Sequence, residues 1–430
     1  MLMKLNTKRT ILVGLAFLSI CSFWQLYDSI VPLILKNTFA VSDTVSGVVM
    51  AMDNVLAIFL LPLFGALSDR TSTRLGRRMP FILIGTGCAV VAMMLIPVAD
   101  HYRTLALFIV ALGFTLLSMG LYRSPAVALM PDVTPKPLRS RANAIINLMG
   151  AVGGVITLAL IRILVPTGNA PDYIPLFACV AAIMVVSVAV LACTVRENQA
   201  AAEAAAQNGE EPTDPAPSDT PAKKAKLAPE VRRSMIFLLA SVAFWFMGYN
   251  AVTTAFSRYA QIQWEMEGGG FANCLMVATV AAVASYIPVG WIATRFGRKK
   301  TILAGVTLLA LCFGAGALVK AYHPAINIMF ALVGVAWAFI NVNSYPMVVE
   351  MGHGSDVGRF TGFYYTFSMA AQIVTPILSG VLLDHIGYGT LFPYAAACVA
   401  ISFFTMTQVR HGDSKPLPPK SKLEAFDTPD

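Results

Sequence analysis

The chain contains twelve apolar runs, each near the length of roughly 20 residues that lets a helix cross a bilayer. Only 13% of its 430 residues are charged, whereas a typical soluble domain has about 25%. Backbone groups in lipid must hydrogen-bond to one another, and a helix does this within a single segment. We therefore predict an all-α integral membrane protein with twelve transmembrane helices. The predicted spans are 10–35, 44–67, 80–99, 104–129, 142–165, 174–195, 233–257, 271–293, 301–320, 324–349, 360–383 and 391–409.

The basic residues concentrate on one side of these spans. Four flank the opposite side and two lie within spans, which leaves 25 of the 31 lysines and arginines for the side that carries both tails. The four are Lys36, Arg103, Arg258 and Lys320, and the two are Arg123 and Arg162. Basic loops favour the cytoplasm. We therefore predict a protein of the cell membrane with both termini cytoplasmic, and we call that side inner and the opposite side outer. The net charge of +8 reflects this topology, and we expect no nucleic-acid partner.

A polar stretch at 197–232 interrupts the apolar pattern. Its alanine-rich start, acidic and proline-rich middle and lysine-rich end cannot bury a core. We predict a disordered cytoplasmic linker here, partly helical at its start, between six-helix bundles at 1–196 and 233–410. Residues 411–430 are predicted to form a cytoplasmic tail.

One loop pattern occurs in both predicted bundles. The first copy reads G-A-L-S-D-R at 65–70 and G-R-R at 76–78, and the second reads G-W-I-A-T-R at 290–295 and G-R-K at 297–299. Each copy is followed by an acid that stands nine residues before an arginine. These pairs are Asp132 with Arg141 and Glu350 with Arg359. The matching offsets indicate two copies of one membrane-embedded unit, which is typical of a transporter that alternates between two states.

The repeated pattern resembles the loop motif of the major facilitator superfamily along the whole chain. The longer form at 68–82 and the segment 128–143 are similar to the proton-coupled sucrose and disaccharide carriers. They resemble the glycoside–pentoside–hexuronide cation symporters more loosely. This resemblance implies the major facilitator fold, two six-helix bundles and alternating access to a central site.

The resemblance also implies that the loops form a cytoplasmic latch. In the first half it assigns the latch to Asp69, Arg70, Arg74, Arg77, Arg78, Asp132 and Arg141. In the second half the matching residues are Arg295, Glu350 and Arg359. Asp69 could accept hydrogen bonds from the N-terminus of a neighbouring helix, where the dipole is positive. Because Thr294 replaces the aspartate in the second copy, we expect a weaker second latch.

Asp28 and Asp53 are the only acids within the predicted spans. A charge inside a bilayer is costly, so each needs a reason. Asp28 precedes Lys36 by eight residues and Asp53 follows Thr44 by nine, which places both at a similar depth of roughly 12–14 Å. A carboxyl group away from water can bind and release a proton near neutral pH. We predict that both residues couple transport to protons.

Two alternatives stay open for these acids. Either acid could form a structural salt bridge, for example with Arg162. They could also bind Na⁺ together with oxygens such as that of Asn54. The melibiose-type symporters have paired acids on the second helix, where this chain has Ala57 and Leu61, and this departure favours protons.

Arg123 is the other buried charge that calls for a function. It lies on the fourth span, seven residues before Met130 and deeper from the outside than the two acids, so direct pairing with them is not expected. Plant sucrose carriers have an arginine about one turn later, where this chain has Val127. Arg123 could line the same cavity from the preceding turn or form a structural ion pair.

Sugars bind to aromatic faces and hydrogen-bonding side chains in mostly apolar pockets. Aromatic and amide side chains at mid-membrane level therefore become candidates, although such residues also serve in packing. In the superfamily that this chain resembles, the first, fourth, seventh and tenth helices line the cavity. The candidate substrate-binding residues are Trp24, Gln25, Tyr27, Arg123, Tyr249, Asn250, Trp337, Asn341 and Gln372.

The prediction from the sequence is a monomeric secondary transporter that moves a sugar or glycoside with protons. The alternative on the same fold is a proton-driven exporter of an amphipathic small molecule. A membrane enzyme or sensor is a third hypothesis, but the sequence has no metal-ligand cluster, nucleophile motif or phosphate loop. We therefore expect no enzymatic activity, no cofactor and no metal site.

Overall fold

The computed structural model describes residues 5–135, 138–167, 171–208, 228–351 and 357–413. Within these ranges the chain forms α-helices and one short 3₁₀ helix, Tyr388–Thr390, with no strand. This confirms the all-α prediction. The helices are α1 (Thr7–Asn37), α2 (Asp43–Asp69), α3 (Met79–His101), α4 (Leu105–Asp132), α5 (Arg139–Leu164), α6 (Ile174–Thr194), α7 (Glu197–Asn208), α8 (Pro229–Gln263), α9 (Ala272–Phe296), α10 (Arg298–Leu318), α11 (Ile326–Glu350), α12 (Val357–His385) and α13 (Leu391–Thr407).

Twelve of the described segments are long and apolar enough to span a membrane. They coincide with the twelve predicted spans, and α7 is the helix that lies outside them. Internal prolines such as Pro62 in α2 and Pro376 in α12 are accommodated within the helices. The terms inner and outer refer below to the predicted orientation.

The start of the predicted linker is helical. Residues Glu197–Asn208 form α7, in the alanine-rich part where the sequence analysis expected partial helix. Alanine and glutamate have high helix propensity, and contacts of α7 with neighbouring loops hold it in place. The next helix begins at Pro229, four residues before the predicted bundle boundary at 233. The rest of the linker, 209–227, and most of the predicted tail, 414–430, lie outside the described residues.

The chain divides into two compact units. The first comprises 1–41, 52–214 and 267–276, and the second comprises 42–51, 215–266 and 277–430. In the first unit, α1 packs on α5 through small residues, as the glycines of α5 predict. A Cβ on Gly153 would lie 2.2 Å from the carbonyl oxygen of Leu18, so only glycine permits this approach.

The second unit contains most of α8 to α13 and also the first turns of α2. Its helices approach one another in a similar way, since a Cβ on Gly305 of α10 would lie 2.8 Å from the Ala336 carbonyl oxygen of α11. Buried aromatic residues, among them Trp245, Phe256 and Phe330, fill the space between the helices.

Candidate functional site

The guanidinium of Arg78 is the centre of the first repeated loop. Its Nε donates to Asp132 at 2.9 Å, its terminal nitrogens pair with Asp69 and Ser68, and Nη1 contacts the Gly65 carbonyl at 3.4 Å. Burial alone lowers the pKa of Arg78, but the hydrogen bonds and charges of Asp132 and Asp69 outweigh it, and the pKa is raised above its ordinary value. A charged, buried guanidinium therefore ties the ends of α2 and α4 to the start of α3.

Glu197, at the start of the predicted linker, binds the backbone at the end of the first repeated loop. Its carboxylate accepts the backbone N–H groups of Arg77 at 2.8 Å, Arg78 at 2.9 Å and Met79 at 2.9 Å. These groups begin α3, where the helix dipole favours a negative charge. Gly76 has φ +119°, and a Cβ there would lie 2.1 Å from Glu197 Oε2, so the turn needs glycine. Sequence reasoning missed this role, because Glu197 was assigned to the disordered linker.

Two further contacts hold α7 against the first unit. Asn198 Nδ2 donates to the carbonyl oxygens of Thr73 at 3.1 Å and Arg74 at 3.3 Å. Glu203 forms an ion pair with Arg9 of α1 at 2.7 Å. The linker therefore begins as a docked helix that fixes the loop, and the signal in the sequence was a glutamate placed just after the sixth span.

The second repeated loop uses the same backbone turn. Gly297 has φ +90°, and the carboxylate of Asp413 accepts the backbone N–H of Lys299 at 2.8 Å, near the start of α10. The next basic residue, Arg298, pairs with Glu350 at the end of α11. Asp413 thus occupies the place that Glu197 has in the first copy, and sequence reasoning missed it because it lies in the predicted tail.

The side chains of the second loop differ from those of the first. Lys299 Nζ donates to two backbone carbonyl oxygens, those of Thr407 at 2.9 Å and Val409 at 2.5 Å. Thr294, at the position of the first copy's aspartate, donates to the Trp291 carbonyl oxygen of its own helix at 2.7 Å. At this position of the second loop, Lys299 therefore donates to backbone carbonyl oxygens at the end of α13. At the matching position of the first loop, Arg78 pairs with carboxylates.

The other predicted gating residues lie around these two loops. Arg70 and Arg74 are exposed, and Arg141 is half-buried in the first turn of α5. Arg295 and Arg359 are exposed and lie over neighbouring phenylalanine rings at 5.5 and 5.4 Å from the ring centres.

A narrow cleft inside the first unit brings together three of the predicted site residues. Trp24, Asp53 and Arg123 line it, although Arg123 was expected too deep to meet the acids. The guanidinium carbon of Arg123 lies 5.7 Å from the centre of the Trp24 ring. Trp24 Nε1 is buried and has no hydrogen-bond partner among the described residues. The rest of the lining is Leu56, Ala57, Leu60, Leu61, Leu116, Met119 and Gly120.

Asp28 lies one turn beyond Trp24 on α1. It is close enough to Asp53 for their charges to interact, and Tyr27 lies within electrostatic reach of both acids. Asp53 accepts hydrogen bonds from the backbone and the side chain of Asn54, at 2.5 and 2.7 Å. The two predicted coupling residues therefore lie within electrostatic reach of each other.

Gln25 does not line this cleft. Its Nε2 donates to Ser29 Oγ at 3.1 Å on the same helix. Its side-chain oxygen lies 3.7 Å from the position that a Cβ on Gly154 of α5 would take. Gln25 thus faces the packing between α1 and α5.

The predicted aromatic residues of the second unit form a stack. The rings of Tyr249 and Trp337 lie parallel with centres 3.8 Å apart, and Phe246 meets Trp337 edge-on at 5.3 Å. Asn250 Nδ2 donates to the Phe246 carbonyl oxygen at 2.9 Å, and Gln372 Nε2 donates to a carbonyl of its own helix at 3.4 Å. Each ring of the stack covers one face of the other, so a ligand would meet their free faces and edges. Asn341 is half-buried on α11, one turn after Trp337.

The described residues contain no group of three or more His, Cys, Asp or Glu side chains that could hold a metal ion. The polar groups of the cleft are the Asp53 carboxylate, the Arg123 guanidinium and the Trp24 indole N–H. Such a set can bind hydroxyl or other oxygen groups and can exchange protons.

Twelve helices of spanning length, a loop motif in each half and a cleft with buried charged groups are the features of a membrane transporter of the major facilitator type. A profile of the Major Facilitator Superfamily matches residues 13–285 and 261–428. These ranges cover nearly the whole chain, so the protein belongs to the Major Facilitator Superfamily.

Curated relatives match the chain only in part. The sucrose transport protein SUC3 of Arabidopsis thaliana is 27% identical over 139 residues, which cover 28% of this chain and 23% of that protein. The lysophospholipid transporter LplT of Yersinia enterocolitica is 28% identical over 197 residues, which cover 43% of this chain and 46% of that protein. The chain thus spans less than half the length of each of these relatives.

Solved structures match the fold along nearly the full length. A POT family transporter in complex with 5-aminolevulinic acid aligns with a TM-score of 0.73 at 10% identity, covering 93% of this chain and 96% of that one. The nucleoside transporter NupG aligns with a TM-score of 0.68 at 12% identity, covering 94% of this chain and all of that one (100%). At these identities the likeness shows the fold alone.

Proposed function

We propose that the protein is a secondary active transporter that moves a sugar or glycoside together with protons. The observation that carries this proposal is the cleft of the first unit, where Asp53, Arg123 and Trp24 meet inside the membrane-spanning helices. A membrane-embedded cleft with buried charges is the expected form of a substrate and ion pathway.

The chemistry of the cleft supports a substrate with many oxygen atoms. The guanidinium of Arg123 and the unpartnered N–H of Trp24 are both donors, and hydroxyl oxygens of a sugar would satisfy them. The indole ring supplies the flat apolar surface on which a sugar ring packs. The partial similarity to sucrose transport proteins points the same way.

The pair of acids supports coupling to protons. Two carboxylates whose charges interact inside a membrane cannot both stay charged at low cost, so one of them would bind a proton. Substrate binding beside Asp53 would change the energy of that protonation. In this proposal Asp28 and Asp53 share the coupling role, and Arg123 contacts the substrate in the same cleft.

Uptake into proteoliposomes tests the proposal directly. A panel of mono- and disaccharides is offered with an imposed pH gradient, an imposed Na⁺ gradient or neither. We expect accumulation of at least one sugar with the pH gradient and counterflow without it. If no sugar on the panel is accumulated or exchanged, the sugar proposal is wrong. Accumulation driven by Na⁺ alone would contradict proton coupling.

Substitution of the acids tests the coupling residues. Asp28→Asn and Asp53→Asn should abolish accumulation in the pH gradient, because the amides cannot bind the transported proton. Asp172→Asn is the matched control, since Asp172 is an exposed acid outside the spans. If both cleft variants still accumulate substrate like the control, the coupling assignment is wrong.

An exporter of an amphipathic molecule is the second candidate function. The match to the lysophospholipid transporter covers 43% of this chain, more than the match to the sucrose transport protein. The cleft lining is also mainly leucine, alanine and methionine. Proton-driven movement of a labelled lysophospholipid or amphipathic drug, without any sugar exchange, would establish this alternative.

The remaining parts of the proposal concern orientation and gating. We propose a monomer in the cell membrane with both termini in the cytoplasm. The two repeated loops would then face the cytoplasm and act as latches that open and close in each transport cycle.

A further inference from the structure

A shallow groove lies at the inner end of α8, within the second unit. None of its residues belongs to the cleft or to the repeated loops. Its volume is about 310 Å³, and Pro229, Arg232, Arg233, Ile236 and Phe237 line it. These positions follow the helical spacing of three and four residues, so they share one face of the helix. We call these five residues the α8 groove.

The other face of this turn of α8 is packed. Ser234, Met235 and Leu238 are buried. Ser234 Oγ forms a hydrogen bond with His411 Nδ1 at 2.8 Å and accepts the backbone N–H of Arg410 at 3.1 Å. The start of α8 is thus fixed from behind, and the α8 groove lies on its open face. The same contact brings Arg410, another exposed arginine, beside this turn.

The two arginines of the α8 groove carry charge that no acid neutralises within the described ranges. Arg232 and Arg233 are exposed, and neither forms an ion pair with a described residue. Basic residues at other inner helix ends do form such pairs. Arg9 pairs with Glu203, for example, and Arg78 pairs with acids at the ends of two helices. The charge of the α8 groove is therefore left for a partner outside the chain.

The α8 groove becomes apolar one turn further along the helix. Ile236 is 57% exposed, and Phe237 is half-buried beside it. The guanidinium carbon of Arg233 lies 5.8 Å from the centre of the Phe237 ring. Four residues of helix rise by about 6 Å, so the apolar pair lies that far inward from the arginines. Because the predicted span begins at 233, the change from cationic to apolar coincides with the predicted membrane boundary.

We propose that the α8 groove binds an anionic phospholipid of the surrounding membrane. The guanidinium groups of Arg232 and Arg233 donate to the phosphate oxygens, and an acyl chain packs on Ile236 and Phe237. Basic residues that directly precede a membrane-spanning helix favour anionic lipids at the same depth. A soluble phosphate would leave the apolar pair exposed, and a zwitterionic lipid would bring a positive group to the arginines. The proposal does not depend on which substrate the protein moves.

Lipid titration followed by native mass spectrometry tests the site on the purified full chain in detergent. Phosphatidylglycerol and phosphatidylcholine with the same acyl chains are added separately, and the dissociation constant of the first bound lipid is measured. We expect tighter binding of phosphatidylglycerol. Arg232→Gln combined with Arg233→Gln should weaken that binding by about 30-fold, since each basic residue near an anionic lipid contributes about fivefold. Binding of phosphatidylcholine should stay unchanged.

A photoactivatable phosphatidylglycerol with the reactive group on its acyl chain locates the bound lipid. After illumination and digestion, peptide mass spectrometry identifies the modified residues. We expect enrichment at Ile236 and Phe237 and its loss in the double arginine variant. Cross-links spread over the membrane-spanning helices without enrichment at the α8 groove would show general lipid contact and would overturn the proposal.

Two single variants separate the parts of the α8 groove. Ile236→Ser removes the apolar wall and should weaken phosphatidylglycerol binding by a smaller factor than loss of both arginines. Glu230→Gln removes an exposed negative charge from the same turn and should tighten the binding. General damage to the protein cannot produce such a gain, so this variant keeps the test decisive if another variant folds poorly.

The matched control removes two positive charges elsewhere. Arg103→Gln combined with Lys320→Gln changes exposed residues on the predicted outer side and lowers the net charge equally. This control should bind phosphatidylglycerol like the unmodified protein, and gel filtration checks that all variants are folded. If the double arginine variant binds as tightly as the control, the proposal is wrong. Displacement of the lipid by inorganic phosphate alone would instead show a site for soluble anions and would also overturn it.

Discussion

The two repeated loops share a backbone and differ in how charge holds them. In both loops a glycine with positive φ, Gly76 or Gly297, directly precedes the helix that follows the loop. A carboxylate from later in the chain, that of Glu197 or Asp413, accepts backbone N–H groups at the start of this helix. In the first loop a buried arginine, Arg78, then pairs with two acids. In the second loop Lys299 donates to backbone carbonyls. The turn is thus the common scaffold, and the charged side chains are what diverged.

This difference indicates unequal mechanical roles. In the first loop the guanidinium of Arg78 joins three helix ends, those of α2, α3 and α4. A movement of one of these helices would therefore displace the other two. The second loop retains one ion pair, Arg298 with Glu350, at the same point of the pattern where Arg77 contacts Asp132 at 3.3 Å in the first. We therefore expect substitutions in the first loop to have the larger effects.

The largest contrast should come from the two basic residues that follow the turn. Arg78→Gln should lower the free energy of unfolding by about 3 kcal/mol, because it removes a buried charge that pairs with both Asp132 and Asp69. Lys299→Gln should cost about 1 kcal/mol, since the ammonium only donates to helix ends. Thermal unfolding of both purified variants in detergent measures the difference. Equal losses would show that the two loops are equivalent and would break the comparison.

The turn glycines should show the next largest effects. Gly76→Ala and Gly297→Ala both place a side chain at positive φ, which costs on the order of 1–3 kcal/mol. The cost should be greater at Gly76, where a Cβ would lie 2.1 Å from Glu197, than at Gly297, where it would lie 3.0 Å from Asp413. The same unfolding measurement applies, with Gly87→Ala as the control because nothing lies within 4 Å of a Cβ there.

The capping acids should differ by a smaller amount. Glu197→Gln should destabilise by about 1–2 kcal/mol, because it weakens hydrogen bonds to three backbone N–H groups at a helix N-terminus. Asp413→Asn should cost less than about 1 kcal/mol, because the Asp413 carboxylate caps α10 through the backbone N–H of Lys299. Hydrogen exchange at the first amides of α3 and α10 reports each cap separately. Faster exchange at α10 than at α3 would reverse the proposed order.

Asp69 and Thr294 should have the smallest effects on stability and the clearest effect on function. Asp69 is 57% exposed, so Asp69→Asn should leave the amount of folded protein unchanged. It should slow transport by about fivefold or more if the loop acts as a latch. The matched change Thr294→Val should leave transport unaltered. Initial uptake rates in proteoliposomes decide this, and an unchanged rate for Asp69→Asn would remove the latch role.

Most of the fold could be predicted from the sequence because lipid imposes a simple rule. Each apolar run had to become a helix of membrane-spanning length, so the twelve spans and their approximate ends followed from composition alone. The repeated loop pattern indicated the superfamily, because it is a short sequence motif that does not depend on tertiary contacts. The similar depth of Asp28 and Asp53 could also be predicted, since depth depends only on helical rise, and their charges do interact.

The site was less predictable where side-chain reach or sequence-distant partners decide the outcome. Arg123 was not expected to pair directly with the acids, and helical depth alone could not show that it lines one cleft with Asp53. Gln25 ranked as a substrate ligand but contacts its own helix, since periodicity does not fix which face turns to the cleft. The capping roles of Glu197 and Asp413 were not predicted, because their partners are backbone groups more than a hundred residues away in the sequence.

The sequence by itself determined the class of protein, the number of spans and the identity of the two loops. These depend on hydrophobicity and on short patterns, which act locally. Only the tertiary structure decided that Glu197 and Asp413 bind the helix starts, that Trp24, Asp53 and Arg123 share one cleft, and that Asp43 pairs with Arg258. Each of these depends on the packing of helices that are distant in the chain, and no local pattern encodes which buried polar group will meet which partner.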